Sequence, residues 1–72
     1  MTSIDIKTIL FRGGDVVISA EDFSVMDIKS MAFTAKSHGA HLIIKNAGIL
    51  SVLDCQSIAF TGGKGGVTFD FS

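Results

Sequence analysis

The stretch "SVMDIKSMAFT", Ser24–Thr34, returns 27 residues later as "SVLDCQSIAFT", Ser51–Thr61, with seven of its eleven positions identical. A fainter copy lies upstream. "IDIKTILFR", Ile4–Arg12, aligns with Met26–Thr34 at an offset of 22, matching Asp5, Ile6, Lys7 and Phe11 to Asp27, Ile28, Lys29 and Phe33. Each copy is followed by a polar, glycine-containing segment ("RGGD", "TAKSHGAH", "TGGKGG") and then by an apolar run ("VVIS", "LIIK", "VTFDFS"). Three repeats therefore divide the chain, approximately at 4–22, 23–49 and 50–72. Internal repetition at such a period is the mark of a stacked architecture.

The phase of the apolar residues inside a copy decides what kind of architecture. Ile4 and Ile6 alternate, as do Ile9 and Phe11, but the step between the pairs is three. The same slip falls at Lys29-Ser30 and at Gln56-Ser57. A straight strand cannot hold both pairs on one face, whereas a corner or bulge can. Each unit then reads as strand, corner, strand, glycine loop, strand. The fold expected is all-β: a short parallel β-solenoid of about three coils forming a single β domain over residues 1–72. Its interior ladders would be Ile4/Met26/Leu53, Ile6/Ile28/Cys55, Ile9/Met31/Ile58 and Phe11/Phe33/Phe60. Two rivals stand beside it. One is a small antiparallel β-barrel or sandwich using the glycine segments as hairpin turns. The other makes Ser19–Phe33 helical, with Ser19 and Asp22 as an N-terminal signal.

Composition bounds the function. A chain of 72 residues buries only about 60% of its unfolded surface, and its single cysteine excludes an internal disulfide. No basic leader followed by an apolar run opens the chain, and no apolar run is long enough to span a bilayer, so the expected setting is cytoplasmic, with no membrane contact. The net charge is −1, and the aromatics are six Phe without Tyr or Trp. Neither a basic block nor a wet-edged stacking platform is offered to nucleic acid, which is not expected as a partner.

The chemistry-bearing residues are few. Gly62, Gly63, Lys64, Gly65 and Gly66 form the most suggestive run, because glycine N–H groups and a lysine suit a small anion. A nucleotide P-loop, however, needs Gly-Lys-Ser/Thr opening a helix, and here a strand-like run follows. His38 and His41 have the spacing of two metal ligands but no evident third, and no metal or other cofactor is expected. Asp5, Asp27 and Asp54 would stack as an outward carboxylate column, relieved by Lys7 and Lys29, with Gln56 in the third place. Cys55 reads as a small buried hydrophobe. No catalytic constellation emerges.

The function expected is therefore a non-enzymatic interaction module acting through self-association or protein binding, with a small-ligand or anion-binding protein using residues 62–66 as the alternative. A homo-oligomer, in the first instance a dimer, is expected through Val67, Phe69 and Phe71, which alternate onto one face of the last strand-like run.

Overall fold

The helix signal recurs three times at the head of the repeats: Thr2, Ser24 and Ser51 are each followed three residues later by an aspartate. In the computed structural model, which describes residues 1–72, each of these hydroxyls accepts a hydrogen bond from the backbone N–H of that aspartate, at 3.2, 3.2 and 3.1 Å. They are N-caps. Helix α1 spans Ser3–Phe11, α2 Val25–His38 and α3 Val52–Gly62. At α1 the exchange is reciprocal, since Thr2 N–H donates back to Asp5 Oδ2 at 3.1 Å, completing a capping box. Gly39 closes α2 with φ +70°, a conformation that favours glycine.

Each helix leads into a strand: β1 Val16–Ser19, β2 Leu42–Lys45 and β3 Val67–Phe69. The three strands form one parallel sheet in the order β1-β2-β3, with Val16, Leu42 and Val67 in one register row and Ile18, Ile44 and Phe69 in another. A 3₁₀ turn, Ala47–Ile49, bridges β2 to α3. Its Ala47 N–H bonds to Asp70 O, tying it to the segment after β3.

The helices pack side by side, α1 against α2 and α2 against α3, over one face of the sheet. Strand alternation points Ile18, Leu42 and Ile44 into the core, with Val16, Val67 and Phe69 packed at its margin. From the helices come Ile6 and Leu10; Ile28, Met31, Ala32 and Ala35; and Ile58. The α2 set is spaced three, four and seven residues apart, the inward stripe of a helix. Val17, Ile43 and Thr68 point to the other face of the sheet, which no element covers.

The all-β reading is thus overturned: the molecule is a two-layer α/β domain, neither a β-solenoid nor an antiparallel barrel or sandwich. The step of three inside each repeat is one helical turn, not a corner between two strands. The strand-like runs after the glycine segments do form the strands, in parallel. Two of the four expected ladders turn largely inward, Ile6/Ile28/Cys55 with Cys55 half-buried and Met31/Ile58 without Ile9, which is exposed while Leu10 beside it is buried. The other two, Ile4/Met26/Leu53 and Phe11/Phe33/Phe60, lie on the opposite side of the helices, in solvent. The recurrent aspartates stand at the third helical position, their N–H groups bound by the cap hydroxyls, with a returning carboxylate bond at Asp5 alone, and the Lys7 ammonium donates to Ser30 Oγ at 3.2 Å.

Candidate functional site

A helix repeats its facing about every seven residues, so Ile4 and Phe11 share a stripe, as do Met26 and Phe33, and Leu53 and Phe60. With Ile6, Ile28 and Cys55 turned inward, those stripes face out. The six side chains are 57 to 86% exposed. Because the helices lie side by side, the stripes combine into two apolar rows crossing the helix layer, an aliphatic row in the first turns and a phenylalanine row in the third. Thr8, Ser30 and Ser57 stand between the rows at equivalent places. Thr8 Oγ1 donates to Ile4 O at 2.9 Å, which keeps that hydroxyl against its own helix.

Contacts between neighbouring helices shape the surface. The Phe11 ring lies against the His38 imidazole, with centroids 4.1 Å apart. The Lys7–Ser30 hydrogen bond crosses from α1 to α2. Between these helices runs an open groove of about 410 Å³ lined by Ile4, Lys7, Thr8, Phe11, Arg12 and Thr34. Acids and cations alternate along the layer, with Lys7 and Lys29 two residues after the first-turn aspartates of α1 and α2. Asp5, Asp27 and Asp54 occupy the first turns, while Arg12, Lys36 and Lys64 lie at or just past the helix C-termini. Both placements complement the helix dipoles. The Asp5 carboxyl is held below the usual range by its hydrogen bonds from Thr2, the backbone N–H first.

The glycine run forms a second candidate. Gly62 to Gly66 line a cleft of about 350 Å³ with Lys36, Lys64 and the end of α2. Steric and conformational demands account for the glycines. A Cβ on Gly62 would collide with Val67 Cγ2, and one on Gly66 with the Gly62 carbonyl oxygen. Gly63 and Gly65 have φ of +67° and +75°. The cleft sits at the C-terminal ends of α2 and α3, where the helix dipoles present partial negative charge. That opposes an anion, while the two lysines favour it.

The remaining residues singled out by sequence do not converge. His41 lies between the Gly65 carbonyl, 2.6 Å from Nδ1, and Thr68 Oγ1, 2.6 Å from Nε2. His38 is engaged with Phe11. No group of three or more His, Cys, Asp or Glu side chains gathers in a metal-binding arrangement. Cys55 is half-buried, and its thiol pKa is pushed up by desolvation and secondarily by the Asp54 carboxylate, which disfavours the nucleophilic thiolate. Val67 and Phe69 are half-buried against the core margin, and exposed Phe71 stacks on Phe69 with ring centroids 6.2 Å apart. No helix is long and apolar enough to cross a membrane.

Comparison with family models, with curated proteins and with solved structures finds no match for this chain. The two-layer α/β fold and its apolar outer helix surface therefore stand as the basis for a functional reading.

Proposed function

We propose that this protein is a non-enzymatic interaction module, and that its contact surface is the outer side of the helix layer. The carrying observation is the pair of apolar rows, Ile4/Met26/Leu53 and Phe11/Phe33/Phe60, exposed at equivalent places on all three helices. Scattered exposed apolar residues need no explanation, but a contiguous patch marks a contact site. A phenylalanine presents about 150–250 Å² in full. At their observed exposures the three rings contribute on the order of 400 Å², and the aliphatic row a similar area. The total, on the order of 800 Å², matches one partner's share of a standard protein interface. The open sheet face competes poorly, since Ser19, Lys45 and Thr68 interrupt its apolar character.

The test is co-purification from the cell of origin with the wild-type chain and with a Phe11→Ser/Phe33→Ser/Phe60→Ser variant whose fold is checked by circular dichroism. Loss of the specifically retained protein from the folded variant is the expected result. Equal retention by both would refute the reading.

A second reading, a small-anion site in the glycine cleft, has one observation in its favour. The Lys36 side chain lies alongside Gly63, its Cδ 3.2 Å from where a Cβ would stand, so two lysines border the five-residue run. A rise in melting temperature with phosphate or sulfate that is lost in Lys36→Ala would support it. Absence of any shift at millimolar anion would dismiss it.

A further inference from the structure

The three α–β units dock on one another by one repeated step, and the two end units leave that step open. Each helix packs beside the next, and each strand pairs in parallel with the next, with Val16, Leu42 and Val67 in one row. Exposure follows position in the stack. Leu10 of α1 and Ala32 of α2 are fully buried, and Ala32 Cβ lies 3.5 Å from where a Gly62 Cβ would stand on α3. Ala59, the equivalent residue of α3, is exposed. Val25 of α2 is half-buried, and its equivalent Val52 in α3 is 80% exposed. The first unit shows the converse: Met31 of α2 and Ile58 of α3 are fully buried, whereas Ile9 of α1 is exposed. In the sheet, Leu42 of the central strand is fully buried, while Val16 and Val67 of the edge strands are half-buried. An open groove of about 500 Å³ runs along the β1 flank, lined in part by Ile6, Val17, Ile18 and Phe23.

The strand edges carry the directional part of the step. Val16 N–H donates to His41 O and Ala20 N–H to Lys45 O, so β1 turns alternate residues toward β2 and leaves the Val17 N–H and C=O to its free edge. On the far side of the sheet, Leu42 N–H donates to Gly66 O and Asp70 N–H to Ile44 O, which leaves the backbone groups of Val67 and Phe69 to the free edge of β3.

We infer that the chain docks head to tail on further copies of itself, the α3–β3 flank of one copy receiving the α1–β1 flank of the next as each unit receives the next within the chain. The occupant is singled out by the seam and not by apolar area. The chain already builds this seam twice, and α3 with its cap repeats seven of eleven residues of the helix that receives a unit internally. Repeating the internal step sets Val67 opposite the partner's Val16 and Phe69 opposite the partner's Ile18. Val67 N–H then donates to the partner's Asp15 O, the partner's Val17 N–H to Val67 O, and Phe69 N–H to the partner's Val17 O. The same step brings exposed Val52 and Ala59 against the side of α1 that carries Ile9. Such a contact is heterologous: each copy keeps one flank free for the next, so the assembly grows as an open stack or closes as a ring. It is separate from the outer helix rows and does not rest on them.

Sedimentation velocity on the intact chain, with one variant blocked at each flank, tests this. Val17→Pro removes an N–H that faces the free edge, where a strand tolerates proline. Ala59→Arg sets a long cation on the exposed α3 flank without opposing the helix. Circular dichroism checks folding, and Ile9→Arg, on the same flank as Val17, replaces the proline variant should it not fold. Wild type is expected to rise with concentration from 7.6 kDa past the dimer. Each variant alone should stay monomeric, because every contact needs both flanks. An equimolar mixture should form a heterodimer of twice 7.6 kDa and nothing larger, since each variant keeps the flank the other has lost. The Phe11→Ser/Phe33→Ser/Phe60→Ser variant should assemble as wild type does. A wild-type chain that stays monomeric at all concentrations overturns the self-docking. An assembly that stops at two copies, blocked variants that assemble like wild type or fail to pair when mixed, or loss of assembly in the phenylalanine variant each overturns the head-to-tail seam.

Discussion

The two sides of the helix layer make an instructive pair. Inward, the equivalent positions read Ile6/Ile28/Cys55 and Ile9/Met31/Ile58; outward, they read Ile4/Met26/Leu53 and Phe11/Phe33/Phe60. By composition the outer side is as apolar as the inner. By repetition it is the stricter, since phenylalanine recurs unchanged in all three units while the inner positions vary. Solvent exposure separates most of them: Ile28, Met31 and Ile58 are fully buried and Phe60 is among the most exposed side chains in the molecule, while Cys55 is half-buried and Ile9 lies at the exposed edge. Apolarity at a helical spacing therefore identifies two stripes per helix, and only the tertiary arrangement shows which one meets the sheet. A helix apolar on both sides belongs inside a larger core or at a contact, which is what the proposed reading of the outer side draws on.

The largest expected effect comes from the inner side. Ile28→Ala or Ile44→Ala should cost about 2–5 kcal/mol in urea unfolding, because each removes a fully buried side chain. Phe33→Ala on the outer side should cost the monomer less than about 0.5 kcal/mol. Equal losses at the two positions would erase the distinction between the faces. Next comes the tight seam between α3 and β3. Gly62→Ala forces a methyl group into Val67 Cγ2, with Ala32 Cβ 3.5 Å away, and should destabilise by about 1–3 kcal/mol. Cap removal is smaller: Ser24→Ala or Ser51→Ala should each lose about 1 kcal/mol, read as a shift of the unfolding midpoint.

The smallest effect is pH dependence. Asp5 and Asp70 both have depressed carboxyl pKa values, Asp5 through Thr2 and Asp70 through the Ser72 backbone N–H. A depressed carboxyl contributes stability above its unfolded value of 3.8 and loses that contribution as pH falls through the lower folded value. Thr2→Ala should flatten the acid limb of the stability profile and leave neutral pH little changed in shape. The Cys55 thiol has the opposite sign. Its raised pKa gives stability that is present below the unfolded value of 9.0 and lost as pH rises through the folded one.

Much of the local structure was legible in the chain. "VVIS" and "LIIK" are β1 and β2 residue for residue, and the three repeats each hold one helix and one strand. The helices are hidden in the sequence because Ile, Val, Phe and Thr favour strands by propensity, while the Ser/Thr-x-x-Asp pattern that outweighs propensity fits an outward carboxylate column equally well. Of the candidate site, Gly62–Gly66 do line a cleft, and Val67 and Phe69 do share a strand face. The outer rows were invisible as a surface because the same residues satisfy the pattern of an interior ladder. Nothing in a one-dimensional period says which side of an element a second layer will cover.

Two methionines on one helix offer a direct measurement of the central claim. Met31 is fully buried beneath α2, and Met26, five residues earlier, is 75% exposed on the outer row. Oxidation by dilute peroxide, followed residue by residue by mass spectrometry across a range of peroxide concentrations, reports both faces at once. The expected result is a Met31 that resists oxidation and a Met26 that oxidises rapidly at every concentration of peroxide used. Oxidation of Met31 as fast as Met26 would contradict the assignment of the faces.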